Sequence, residues 1–191
     1  MFQIEKRNLN ISSPFGGQGA FRGAGGRIFL IGFMGSGKTY WGKLWAEKSG
    51  LDFFDIDEIV EKEQEKTIAK IFAEDGEQHF RNLETNALKK FSGKANAIVA
   101  CGGGTPCFND NLSWMNENGT SVYLQCSPEI ILKRLVSEKE KRPLIKHLQQ
   151  DELLFYITEK IKERETFYNQ AKIILNVEDL PTNYLPGFLK P

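Results

Sequence analysis

The stretch RIFLIGFMGSGKT, Arg27 to Thr39, constrains this chain more than any other. An apolar run of strand length ends in a loop with glycines at 32, 35 and 37, and that loop opens directly into a segment of helical spacing. The pattern G-x-x-x-x-G-K-[ST] in a strand-to-helix setting builds an anion nest. Loop amides and the helix N-terminus converge on one place, where they favour phosphate. Lys38 adds a positive charge toward the β and γ groups and Thr39 offers a hydroxyl to Mg²⁺. A bound nucleoside triphosphate is therefore expected. The loop says nothing about what accepts the phosphate.

Downstream, short apolar runs alternate with longer amphipathic ones, as in a parallel sheet covered by helices. Strands are expected at 27–31, 51–54, 96–100, 121–125 and 171–177, and helices at 38–48, 56–65, 76–91, 109–118, 128–137 and 151–169. The expected fold is α/β: a three-layer α/β/α domain over 27–191 with a central five-stranded parallel sheet. Residues 1–26 have scattered glycines, no helical period and no apolar core of the ~7–15 residues a signal peptide needs, and are read as a flexible leader. The polar connection SEKEKRPLIKHLQQ, 137–150, lies between two strong helices and suits a mobile lid.

Composition narrows the partners. Lys plus Arg and Asp plus Glu are equal at 25 each, so no global field draws the chain to nucleic acid or to an anionic membrane. No apolar run approaches the roughly 20 residues that span a bilayer. Cys101, Cys107 and Cys126 are an odd set without a C-x-x-C pair, which fits a reduced, cytoplasmic protein. Cys101 reads as a small buried hydrophobe, and His79 and His147 as solvent-facing. Trp45 and Trp114 read as core residues.

Five further stretches carry chemistry. ACGGGTP places three glycines, Gly102 to Gly104, directly after an apolar run. One glycine makes a turn; three suggest a backbone that something docks against. FFDIDEIV supplies Asp55 and Asp57 after the second strand. Asp55 and Glu58 have capping-box spacing, which explains Asp55 and leaves Asp57 free. At the carboxyl end of a parallel strand this pair would face the phosphate loop, one carboxylate ordering the magnesium waters and the other holding or deprotonating an attacking hydroxyl. Arg81 and Glu84 stand three apart on one helical face, equally readable as a surface ion pair or as a guanidinium oriented to grip a substrate carboxylate. Arg142 and Arg164, read alone, are an ordinary loop cation and a cation favoured by a helix C-terminus.

Taken together, GFMGSGKT, FFDIDEIV, IFAEDGEQHFRNLE, ACGGGTP, KRPLI and RETFY resemble, in order and separation, the shikimate kinases of the P-loop nucleoside monophosphate kinase-like superfamily. The resemblance implies a P-loop kinase fold with a lid, and transfer of the ATP γ-phosphoryl group to the 3-hydroxyl of shikimate, on the way to chorismate and the aromatic amino acids. ATP would meet Gly35, Ser36, Gly37, Lys38, Thr39 and Tyr40, with Thr39 and Asp55 at Mg²⁺. Asp57 would hold shikimate hydroxyls and act as base. Arg81 and Arg164 would clamp the carboxylate, Glu84 would orient the site, and Gly102, Gly103 and Gly104 would present backbone to substrate and to the transferring phosphate. Arg142 would close over the phosphates, and Arg134 lies about where the family places a basic residue near adenine.

Tyr40-Trp41 depart from the smaller residues usual after this loop, and their rings would pack between helix and sheet or near the nucleotide. Pro181 would turn the chain on the adenine side. The family also implies a monomer. A kinase for gluconate or a nucleoside monophosphate is the rival enzyme; the Asp-x-Asp, Phe-Arg-x-x-Glu and triple-glycine set together argues against it. A catalytically silent homologue would be expected to lack Asp57, Arg81 or Arg164, and all three are present.

Overall fold

A computed structural model of the chain describes residues 26–138, 145 and 148–189. Strand β1, Arg27–Ile31, is buried on both faces along Ile28 to Ile31, as a central strand of a parallel sheet must be. It is flanked by β3, Ala97–Ala100, and β4, Thr120–Gln125, while β2, Asp52–Asp55, and β5, Ile173–Asn176, form the edges. The order is β2-β3-β1-β4-β5 with every pairing parallel. Gly26, assigned above to the leader, already belongs to this register, since its carbonyl accepts from Ala97 N at 3.1 Å.

The two-residue period of the strands sorts the core into two layers. Ile28, Leu30, Ile98, Val122 and Leu124 face helices α1, Lys38–Ser49, α6, Pro128–Glu138, and α7, Gln150–Tyr168; Trp45, Ile131, Leu135 and Ile157 close that side. Phe29, Ile31, Val99 and Tyr123 face α2, Ile56–Gln64, α3, Ile68–Glu74, α4, Gly76–Lys89, and α5, Asn111–Asn118. This is the expected three-layer arrangement. Gly42 lets α1 sit close on the sheet, because a Cβ there would lie 2.4 Å from the Phe53 ring.

Several expected boundaries move, for local reasons. The helix expected at 109–118 begins at Asn111 because Asn109 and Asp110 take left-handed conformations, φ 51° and 54°. The helix expected to reach Phe91 ends at Lys89 and tightens into a 3₁₀ turn, Lys90–Gly93. Helix α3 has no counterpart in the sequence reading. Thr67 caps it by accepting from Lys70 N at 3.3 Å, and its seven residues are too few for a helical period to stand out. Trp45 does lie in the core, whereas Trp114 is only partly buried, packed edge-on to Phe29, and His79 is exposed. Most of the expected lid, with Arg142 and His147, falls outside the described residues. Of its flanks, Ile145 is fully buried, and Gln149 with Glu152 forms a capping box at the start of α7.

Candidate active site

The phosphate loop is set by backbone conformation. Gly32, Gly35 and Gly37 have φ of 139°, 80° and 96°, values at which a β-carbon is strained. The loop is tied across by Ser36 N donating to Phe33 O at 3.1 Å, and Trp41 N donates to Gly37 O at 2.9 Å as α1 begins. Lys38 Nζ folds back onto the carbonyls of Gly32 and Phe33, at 2.8 and 3.0 Å. Ser36 is fully buried with its Oγ turned beneath the loop, 3.0 Å from where a Cβ on Gly32 would stand. Arg134 reaches over from α6, its Nη1 donating to Gly35 O at 2.9 Å.

Tyr40 and Trp41 separate as neighbours on a helix do. Trp41 is buried against Trp45, whereas Tyr40 is 57 % exposed with its hydroxyl 3.5 Å from Thr182 O. Trp45 Nε1 and Lys48 Nζ bond the carbonyls of Tyr184 and Asn183, so the segment after Pro181 lies along the outer side of α1.

Asp55 ends β2 and serves two purposes. Its Oδ1 accepts from Asp57 N at 3.0 Å, capping α2, and its Oδ2 accepts from Thr39 Oγ1 at 2.9 Å. The expected capping box with Glu58 is replaced by this bond to the Asp57 amide. Thr39 and Asp55 thus bring one hydroxyl and one carboxylate together beside the phosphate loop. Magnesium bound to a nucleotide asks for such a donor set, because it keeps several waters and takes few protein ligands. Among the described residues no cluster of three or more His, Cys, Asp or Glu side chains could hold a metal by itself.

Asp57 follows in the first turn of α2. The residue is only partly exposed, and its Oδ1 is buried without a hydrogen-bond partner. Burial, followed by the charges of Glu84 and Asp55, raises its carboxyl from 3.8 to about 7, with Lys38 pulling the other way.

The sequence left Arg81 and Glu84 evenly divided between two readings, and the structure removes one of them. Both are buried, at 6 % and 1 % exposure, with Arg81 Nη1 donating to Glu84 Oε2 at 2.6 Å. A surface pair is thereby excluded. Burial works against the guanidinium charge, yet Glu84 and Glu77 raise its pKa above the ordinary arginine value. Three of its five N–H donors go to these two carboxylates. Its Cζ lies over the Phe108 ring, 4.6 Å from the ring centre.

The three glycines join these parts. None has φ in the left-handed region, so turn geometry is not what demands them. Close approach is. A Cβ on Gly102 would stand 2.3 Å from Glu84 Oε1 and 3.1 Å from Asp57 Oδ1. On Gly104 it would stand 2.7 Å from Arg81 Nη1, and on Gly103 it would be 3.3 Å from Met34 N and 3.4 Å from Arg164 Nη1. Arg164, partly exposed, also lies over the Phe33 ring, at 5.6 Å.

Two residues not singled out from the sequence belong here. Tyr168, one helical turn beyond Arg164 and fully buried, donates its hydroxyl to Gly103 O at 2.6 Å. Thr105, also fully buried, donates to Glu84 Oε1. Their signals were present, as a tyrosine four after an arginine on one helix face and a threonine directly after the glycines. Cys107 lies within the electrostatic reach of Arg164 and Arg81, though burial pushes its thiol up to about 11. Burial also raises the Cys101 thiol well above its ordinary value, in keeping with a small hydrophobe.

The family model for shikimate kinase matches residues 34–184. The shikimate kinase of Azobacteroides pseudotrichonymphae is 42 % identical over 166 residues, covering 86 % of this chain and 98 % of its own. A crystal structure of shikimate kinase from Bacteroides thetaiotaomicron superposes with a TM-score of 0.78 at 40 % identity, over 81 % of this chain and 88 % of that one. Shikimate kinase from Acinetobacter baumannii, solved in complex with shikimate, does so at 0.75 and 30 %, over 86 % and 89 %. The match takes in the phosphate loop from Met34 onward, the Asp55–Asp57 pair, the buried Arg81–Glu84 pair and the triple glycine, and the chain belongs to the shikimate kinase family.

Proposed function

We propose that this chain transfers the γ-phosphoryl group of ATP to the 3-hydroxyl of shikimate, giving shikimate 3-phosphate and ADP. One observation carries the reading. Along Gly102–Gly104 the backbone is bare where β-carbons would meet the Asp57 and Glu84 carboxylates, the Arg81 guanidinium, Arg164 and the phosphate loop at Met34. Shikimate offers a carboxylate and three hydroxyls, and this surface offers two guanidinium groups, a carboxylate and bare backbone beside the phosphates.

The loop amides and Lys38 would hold the phosphates, with Gly35, Ser36, Gly37 and Tyr40 along the nucleotide and Arg134 over the loop. Thr39 and Asp55 would hold Mg²⁺, which would supply positive charge to offset that of the phosphates. Arg81 and Arg164 bind the acceptor carboxylate, and Glu84 keeps the first of them in orientation. Asp57 takes the proton of the 3-hydroxyl as its oxygen bonds to the γ-phosphorus and the bond to the β,γ-bridging oxygen breaks. A carboxylate held near pH 7 is matched to that transfer. Arg142, outside the described residues, completes the proposal as the arginine of a lid that neutralises developing charge and excludes water.

The same proposal has the enzyme acting as a cytoplasmic monomer, on the strength of the family. Among the described residues no helix is long and apolar enough to cross a membrane. The test is ADP release with ATP and Mg²⁺ in the presence of shikimate, gluconate, a panel of nucleoside monophosphates or no acceptor. Turnover with shikimate alone is expected; equal turnover with gluconate, or none with any acceptor, would overturn the assignment.

A further inference from the structure

Glu84 is held from two sides. Its Oε2 accepts from Arg81, and its Oε1 accepts from Thr105 Oγ1 at 2.5 Å. Thr105 has no exposed surface, and its backbone is fixed independently of that bond. Its amide donates to Gly102 O at 3.1 Å, and its carbonyl accepts from Asn111 Nδ2 at 2.9 Å. Asn111 Nδ2 also reaches Thr85 Oγ1, at 3.0 Å, and Thr85 in turn donates to Arg81 O at 2.9 Å. The same polar chain therefore braces the Thr105 backbone and the helix turn that carries Arg81. Gly102 makes the meeting possible, since a Cβ there would lie 2.9 Å from Thr105 Oγ1 and closer still to Glu84.

We infer that Thr105 is a positioning residue for acceptor binding: by donating to Glu84 Oε1 it fixes the carboxylate that presents the Arg81 guanidinium to the acceptor. The inference rests on the proposed role of Arg81 as an acceptor clamp. Arg81 is also drawn by Glu77, whose side chain is 57 % exposed. Water screens that partner, whereas Glu84, at 1 %, acts at low dielectric and sets the orientation. Without the Thr105 hydroxyl, Glu84 keeps a buried oxygen with no donor. The carboxylate then gains by turning or by admitting water, and either response moves the guanidinium. Thr105 has no part in holding nucleotide, so its effect belongs to acceptor affinity.

The experiment compares the full chain with Thr105→Val, Thr105→Ser, Glu84→Gln and the Thr105→Val/Glu84→Gln pair, varying shikimate and ATP separately with Mg²⁺ present. Losing a hydrogen bond to a buried charge predicts a rise of about ten- to hundredfold in KM for shikimate in Thr105→Val. The value of kcat should stay within about threefold and KM for ATP should not move, the pattern of lost binding that is uniform along the reaction. Thr105→Ser should recover most of the loss. Adding Thr105→Val to Glu84→Gln should change little, because both act through one contact.

An unchanged KM for shikimate in Thr105→Val would overturn the inference. So would a serine variant as impaired as the valine, additive effects in the pair, or a parallel loss in both substrates together with a lower Tm. Should the valine chain not fold, Thr105→Ala removes the same hydroxyl without adding bulk and carries the same expectation. A wild-type chain without shikimate-dependent turnover would overturn the acceptor reading, and this inference with it. An active wild type with a normal Thr105→Val would overturn the inference alone.

Discussion

Replacing Asp57 by Asn should make the protein more stable and the enzyme inactive, with a gain that depends on pH. The folded carboxyl titrates near 7 against an ordinary 3.8, so the native state keeps a proton that the unfolded chain releases between about pH 4 and 7. The unfolded state gains from that release, and stability falls as pH rises through the window. At about 1.4 kcal/mol for each tenfold change, the full displacement corresponds to a ceiling of ~4 kcal/mol above pH 7. The residue is partly exposed and water screens the neighbouring charges, so about half of that, ~2 kcal/mol, is expected in practice.

Asparagine is neutral throughout, so Asp57→Asn should exceed the wild type by that amount at pH 8 and by well under ~1 kcal/mol at pH 4. The corresponding rise in Tm at pH 8 is roughly 4–8 °C for a domain of this size. Urea unfolding of both proteins at the two pH values, without nucleotide or Mg²⁺, measures it. A difference that is the same at both pH values, or a variant less stable at pH 8, would refute the claim that burial and Glu84 hold this carboxyl against ionisation.

Five other substitutions test the packing of the fold and of the site. Gly102→Ala and Gly104→Ala should each lose most of kcat/KM and about 1–3 kcal/mol of stability, because their β-carbons would meet Glu84 and Arg81 below 3 Å. Gly103→Ala, with its nearest contact at 3.3 Å, should keep the stability and lose turnover by crowding the gap between Met34 N and Arg164; steady-state kinetics beside thermal melts separate the two cases. Gly42→Ala should destabilise by about 1–3 kcal/mol although alanine is the better helix former, since the new Cβ would strike Phe53; chemical denaturation reads the sign. Arg134→Ala should raise KM for ATP several-fold, in line with the loss of about 1 kcal/mol of binding, and leave KM for shikimate in place; titrating each substrate at saturation of the other checks it.

The residues alone determined whatever depends on near neighbours in the chain. The phosphate loop could be read because its conformation is set by three glycines within six residues and by the strand and helix that join it. The strands could be read because each is a short apolar run, and their parallel pairing followed from the helices between them. Helix α3 could not, because seven residues show no clear period, nor could the start of α5, which two left-handed residues decide.

Burial and approach between distant segments were settled only by the tertiary structure. Arg81 and Glu84 have the same spacing on a surface as in a core, and only the packing of α4 against Phe108 and Thr105 makes the pair a buried one. Three glycines in a row announce a special backbone without saying why. The reason lies in Glu84, Asp57, Arg81 and Arg164, all 18 or more residues away in sequence. The proton affinity of Asp57 has the same origin. A carboxylate acquires a pKa near 7 from the water it has lost and the charges brought beside it, and both are properties of the folded chain.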